Sequence, residues 1–204
     1  LLPYTTLFRS SLCIAAAVKC HMTLPNAQSQ VWEQSVSMKF TATQTGKFSG
    51  PGFTARCVLG KGGVVKASQK REGDGASPAG TWPVRNVFFR PDRLDPPVTS
   101  LPRVPLKPYD GWCDAPDHRL YNRPVSLPFS ASHEKLWRDD HVYDVIVELG
   151  YNDDPVKPGL GSAIFMHLAR PNFEPTEGCI ALEQNDLLTL LELMVPGAEI
   201  EISF

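Results

Sequence analysis

Gly161-Ser162-Ala163-Ile164-Phe165-Met166-His167-Leu168 runs through a Pro171–Pro175 stretch into Thr176-Glu177-Gly178-Cys179-Ile180. The first block is apolar and reads as a buried strand that delivers His167 at its end. The prolines force a loop that can turn back to bring Cys179 to the same rim. A free thiol is only slightly ionised at neutral pH, so acyl transfer through it needs an imidazole to take the proton and return it to the leaving group. Gly178, with no Cβ, lets a carbonyl approach closely, and the amides around Gly178 and Cys179 can hold an oxyanion. Spacing alone favours the structural reading, a small buried core cysteine and a strand-end histidine.

A second block narrows the choice. The block around His167 and Cys179 resembles the signature of the L,D-transpeptidase catalytic domain (YkuD-like) family: a His, a variable loop, then Ser/Thr-His-Gly-Cys and an apolar residue. Thr176, Gly178, Cys179 and Ile180 match it, and His167 matches its upstream base. Upstream, Asp74-Gly75-Ala76-Ser77-Pro78-Ala79-Gly80-Thr81-Trp82 is similar to the family's Thr-Pro-x-Gly-x-aromatic segment, a turn that feeds a strand. The resemblance covers roughly Met38 to Phe204, one domain in length.

The chain departs from the pattern at three places. Glu177 stands where the family has a second His. Facing Cys179, its carboxylate would raise the thiol pKa; facing His167, it would hold the imidazole's tautomer or stabilise its cation. Ala181 replaces the Arg or Asn that often follows, leaving a polar substrate contact to be supplied elsewhere, with Arg170 as the candidate. The loop from His167 to Cys179 is short for the family.

Composition excludes several classes. The 204 residues are 42% apolar with a net charge of −2, which suits one soluble, loop-rich domain with a core of its own. Lys and Arg are dispersed among acids with no basic cluster, so a nucleic-acid partner is not expected. No apolar run is long enough to span a bilayer. Five cysteines, scattered, argue against a disulfide framework, and Cys57 reads as a core strand residue. No Cys or His pair has ligand spacing, so a metal is not expected, and the resemblance implies no cofactor. Residues 1–35 read as a non-native or disordered leader, in which Pro3 to Ser10 resembles a translated sequencing adapter and is set aside; the domain spans 36–204.

From Val36 the chain breaks into short β-rich pieces between Gly and Pro clusters: Ser37 to Ala42, Thr54 to Gly60, Val64 to Ala67 and Trp82 to Phe89. These predict a mainly β fold of antiparallel sheet, with Val142 to Leu149 and Ala163 to Leu168 as central strands, and the resemblance implies that it is a single β-sandwich domain with one short buttressing helix. The alternating 198–204 segment should bury Ala198, Ile200, Ile202 and Phe204. One helix is expected over Asn185 to Met194, with Leu187, Leu188, Leu191 and Met194 inward and Asn185 or Gln184 near its cap. Gly60-Lys61-Gly62-Gly63 reads as a hairpin turn, since the phosphate-loop spacing is incomplete. His133 and Glu134 read as an exposed helical turn.

The long stretch from Arg90 to Ser132 is either a wall over the His167–Cys179 rim or a surface excursion pinned by its own aromatics. In the first reading Tyr109 and Trp112 pack on substrate and Asn122 or Arg123 binds its polar groups. What the resemblance implies is cysteine-dependent transfer between peptidoglycan stem peptides: Cys179 attacks, His167 is base and then acid, amides near Gly178 form the oxyanion hole, and Thr176 braces the loop. It also implies inhibition by carbapenems and a place in the periplasm or cell envelope. Hydrolysis by the same residues, as an L,D-carboxypeptidase or cross-link hydrolase, and non-catalytic binding of wall peptides are the alternatives.

Overall fold

In the computed structural model residues 38–204 are described; the expected leader, with Cys13 and Cys20, lies outside them. The strands in chain order are β1 (Lys39–Thr43), β2 (Lys47–Gly50), β3 (Phe53–Val58), β4 (Val64–Lys66), β5 (Ser77–Phe89), β6 (Arg103–Pro105), β7 (Asp110–Cys113), β8 (Arg123–Ser126), β9 (His133–Lys135), β10 (Val145–Leu149), β11 (Phe165–Leu168), β12 (Ile180–Leu182) and β13 (Glu199–Ser203). A single α-helix, α1 (Gln184–Leu193), precedes β13 among the described residues.

Two strands turn the sheet's corners. β5 starts at Ser77, earlier than the sequence pattern suggested, and is long enough to pair with β13 through its first half and β10 through its second. β3 pairs with β2 through Phe53 to Arg56 and with β12 through Cys57 and Val58. The order β10-β11-β12-β3-β2-β1-β13-β5 therefore returns to β10, a sandwich whose halves share their corner strands. Between its layers lie Phe40, Phe48, Cys57, Val145, Val147, Met166, Ile180, Leu182, Ile200 and Ile202. The expected antiparallel pairing is only partly realised, because β1–β13, β11–β12, β4–β5 and β5–β6 run parallel. Side-chain alternation reports which face is buried, and it carries no information on a neighbour's direction.

α1 closes one end of this core with Leu187, Leu190, Leu191 and Met194. Leu190 takes the fully buried position expected for Leu188, which is only partly buried. Glu183 occupies the N-cap without a side-chain bond to the first turn. Phe204 lies beyond β13 and is exposed, against expectation, whereas Ala198, Ile200 and Ile202 are buried.

The stretch after Arg90 is more ordered than a loop. It contributes β6, β7 and β8, and β7 is the centre of a small antiparallel sheet, β8-β7-β9. A second core of Leu106, Trp112, Leu136, Tyr143, Ile146 and Phe165 forms beneath it. Ile146 and Phe165 alternate with residues of the first core, so the small sheet covers the outer face of β10 and β11. His133 and Glu134 belong to β9 rather than a helical turn: pairing with β7 overrides local preference. The Gly60–Gly63 segment is not a hairpin either. β3 and β4 do not pair, and Gly60 instead bridges Thr176.

Candidate active site

β11 and β12 run parallel, with Met166 opposite Ile180 and His167 opposite Ala181. Met166 and Ile180 point into the sandwich core, so His167 on β11 and Cys179, one residue before β12, fall on the opposite face. By register the two are offset by two residues, about 7 Å along the strands. Both line one cavity of about 720 Å³. Cys179 is 7% exposed and His167 6%, so both are almost wholly buried.

The hydrogen bonds assign protons. His167 Nδ1 lies 2.9 Å from the carbonyl of Leu168. A carbonyl only accepts, so Nδ1 carries the proton and Nε2 keeps a free lone pair, the form a general base requires. Cys179 Sγ donates to the Ala163 carbonyl at 3.2 Å and accepts from the Phe165 amide at 3.4 Å. Burial pushes the thiol pKa up to about 12, with Glu134 adding to the rise and the Phe165 amide and Lys70 opposing it. Burial likewise lowers His167 to about 4. The resting pair is thus a neutral thiol beside a neutral imidazole. The Tyr143 ring packs edge-on against the imidazole at 5.3 Å, and its hydroxyl donates to Glu134 at 2.6 Å.

Thr176 holds the turn before the cysteine: its hydroxyl donates to the Cys179 carbonyl at 2.7 Å and accepts from the Gly178 amide at 3.1 Å. The Gly178 amide is therefore engaged within the loop. Gly178 itself is required, since its φ of 133° and the 2.8 Å from a would-be Cβ to the Ala76 carbonyl leave no room for a side chain. Glu177 faces neither Cys179 nor His167; it sits at the cavity rim and pairs with Lys61 at 2.7 Å. That exposed pair is worth less than about 1 kcal/mol. Arg170 and Ala181 also line the cavity, Arg170 contacting Asp140 at 3.4 Å.

The other four expected substrate contacts stand elsewhere. Tyr109 is exposed beneath the Lys107 ammonium. Trp112 is buried edge-on against Phe165. Asn122 and Arg123 tie the loop after β10 by hydrogen bonds to the carbonyls of Tyr151, Asn152 and Asp153. In their place the small sheet supplies Asp114 and Glu134 to the cavity, and the loop after β4 supplies Lys70 and Glu72. Glu134 was legible only as a polar residue on a short segment, and its approach to Cys179 follows from the β7–β9 pairing. Among the described residues no group of His, Cys, Asp or Glu is arranged to hold a metal ion.

The family model for YkuD, the L,D-transpeptidase catalytic domain, matches residues 27–202. The chain belongs to this family. Among solved structures, this L,D-transpeptidase-family chain is similar to L,D-transpeptidase 1 of Mycobacterium tuberculosis, at 12% identity and a TM-score of 0.38, over 82% of this chain and 62% of that one. It is also similar to LdtMt1 in complex with imipenem, at 13% identity and a TM-score of 0.37, over 81% and 58%. The chain thus spans about three fifths of the length of these structures. No curated protein matches it.

The buried imidazole has a consequence for stability. Its folded pKa, about 4, lies below its ordinary 6.5, so between these values the unfolded chain binds a proton that the folded chain refuses. Stability then rises with pH across that window and is lost as pH falls through it, by about 3 kcal/mol in full. Urea denaturation of the wild type and of His167→Gln at pH 7 and pH 4.5 checks this. The variant should lose less stability than the wild type, and equal losses would show that His167 is not buried in its neutral form.

Proposed function

We propose that this chain carries out cysteine-dependent acyl transfer on peptidoglycan stem peptides. The observation that carries the proposal is a thiol and an imidazole with a free Nε2 on one strand face, opening into one cavity. Cys179 Sγ attacks the carbonyl carbon of the third stem residue as the thiol proton passes to His167 Nε2. The tetrahedral intermediate collapses, the bond to the terminal D-alanine breaks, and its nitrogen takes the proton from His167. A thioester remains on Cys179. An amine of a second stem then attacks it, forming the cross-link and restoring the thiol. Carbapenems are expected to acylate the same sulfur. Such a substrate puts the protein in the periplasm or at the cell envelope; no helix of the described residues is long and apolar enough to cross a membrane.

Incubation with purified disaccharide tetrapeptide, followed by mass spectrometry, tests the reading. A cross-linked dimer that disappears in Cys179→Ala is the expected result. A Cys179-dependent monomer lacking D-alanine would make water the acceptor and the protein a carboxypeptidase, a reading favoured by the small apolar Ala181 on the cavity wall. Absence of both products and of any adduct would end the proposal.

A further inference from the structure

The peptide unit between Gly178 and Cys179 is held directly at its carbonyl, and the peptides on either side of it are both tied to Thr176. The Thr176 hydroxyl accepts from the Gly178 amide and donates to the Cys179 carbonyl. The Gly178 carbonyl accepts from Ser77 Oγ at 2.8 Å, and that hydroxyl in turn accepts from the Gly60 amide at 2.9 Å. Ser77 is wholly buried at the start of β5, and its own amide donates to the Gly63 carbonyl, so its position is fixed. Gly60 must itself be glycine, because a Cβ there would lie 3.0 Å from Gly178 Cα and 2.3 Å from the Gly75 carbonyl.

A trans peptide is planar, and its C=O and N–H point to opposite sides. Pinning the Gly178 carbonyl into the wall at Ser77 therefore turns the Cys179 N–H away from that wall. Cys179 lines the cavity, whereas Ser77 does not. Among the described residues the Cys179 N–H has no acceptor. It is the polar group of this peptide left over for a ligand. A hydrogen bond received at the carbonyl also polarises the peptide and makes its N–H a stronger donor.

We infer that Ser77 is a positioning residue for acyl transfer: its hydroxyl fixes and polarises the Gly178–Cys179 peptide so that the Cys179 N–H meets the oxyanion. The inference rests on the acyl-transfer reading above. It also revises the oxyanion hole expected from sequence, since the Gly178 N–H is spent on Thr176 and the Cys179 N–H alone is contributed by this pair.

The test compares two reactions at one sulfur. Acylation by imipenem passes through an oxyanion, whereas alkylation by iodoacetamide is a displacement at carbon and forms none. Both rates are measured by mass spectrometry for the wild type, Ser77→Ala, and the pair Ser77→Thr and Ser77→Val, which have nearly equal volumes and differ in the hydroxyl. Loss of a whole oxyanion donor costs about 10²–10³ in rate; loosening one should cost about ten- to a hundredfold. Acylation is expected to fall by that factor in the Ala and Val variants, with alkylation unchanged within about twofold, and Ser77→Thr should recover most of the acylation rate. Equal falls in both reactions, or equal rates in the Thr and Val variants, would overturn the inference. A wild type that imipenem does not acylate, although iodoacetamide labels Cys179, would instead overturn the acyl-transfer reading on which it stands.

Discussion

His167→Gln is expected to slow acylation of Cys179 by imipenem by about 10²–10⁴-fold while leaving the ionisation of the thiol almost where it was. The two halves of this expectation have different origins. Acylation needs a base at Nε2, and glutamine offers no basic nitrogen there. Ionisation of the resting thiol is governed by burial, by Glu134 and by the Phe165 amide, none of which the substitution touches. In a preformed thiolate–imidazolium pair the two effects would be inseparable, since loss of the cation would raise the thiol pKa and suppress alkylation at neutral pH. The measurement is the rate of iodoacetamide labelling of Cys179 against pH in both proteins, beside the imipenem acylation rate. Overlapping alkylation profiles with divergent acylation rates support the neutral pair. A profile that moves to higher pH in the variant would show that the resting site holds an ion pair.

A Glu134→Gln variant separates the electrostatic part of this account. It removes a charge that opposes the thiolate and keeps an oxygen to accept from Tyr143. Alkylation of Cys179 at pH 8 is expected to quicken about three- to tenfold, following the rule that one pH unit of pKa is a tenfold change. An unchanged rate would mean that Glu134 is itself protonated in the folded protein, consistent with the burial that raises its own pKa.

What the sequence made legible was local. The continuous apolar run before His167 identified β11, which is buried on both faces, and strict alternation from Ala198 to Ile202 identified β13, because burial on one face leaves a period of two in the residues. The stripe on α1 was readable for the same reason at a period near 3.6. Parallel pairing was not readable, nor was its register, on which the site depends: Met166 opposite Ile180 is what puts His167 and Cys179 on the same face. The β8-β7-β9 sheet was missed because its strands are only three or four residues long, and its pairing is fixed by the core it covers. Glu177 shows the same limit from the other side. Two orientations were conceivable beside Cys179 and His167, and the structure takes neither, since Gly60 bridging Thr176 brings Lys61 within reach of the carboxylate.

Asn122, read from sequence as a substrate contact, is instead expected to be the least replaceable polar side chain in the second core. Its Oδ1 accepts from the Trp112 indole at 2.9 Å and from the Ala163 amide at 3.1 Å. Its Nδ2 donates to the carbonyls of Tyr151 at 3.0 Å and Asn152 at 2.8 Å. All four bonds an amide can make with these partners are used, which leaves nothing for a ligand. Asn122 also adopts a left-handed backbone, φ 55°, that asparagine tolerates better than most residues. Asn122→Leu would strand buried donors and acceptors and strain that backbone, and the expected loss is about 3–5 kcal/mol of stability. Trp112→Phe, which removes one donor and keeps a ring against Phe165, should cost about 1 kcal/mol for the hydrogen bond. The effect should extend to the sulfur. Ala163 holds a left-handed conformation, φ 51°, its amide is fixed by Asn122, and its carbonyl accepts the Cys179 thiol. Urea denaturation of both variants checks the stability difference. At urea concentrations where Asn122→Leu is still folded, its Cys179 should also alkylate faster than the wild type's, because the Ala163 carbonyl no longer holds the thiol hydrogen. A loss below about 1 kcal/mol for Asn122→Leu would show that the four bonds are replaced by water, and the link from Trp112 through Asn122 to Cys179 would fall with it.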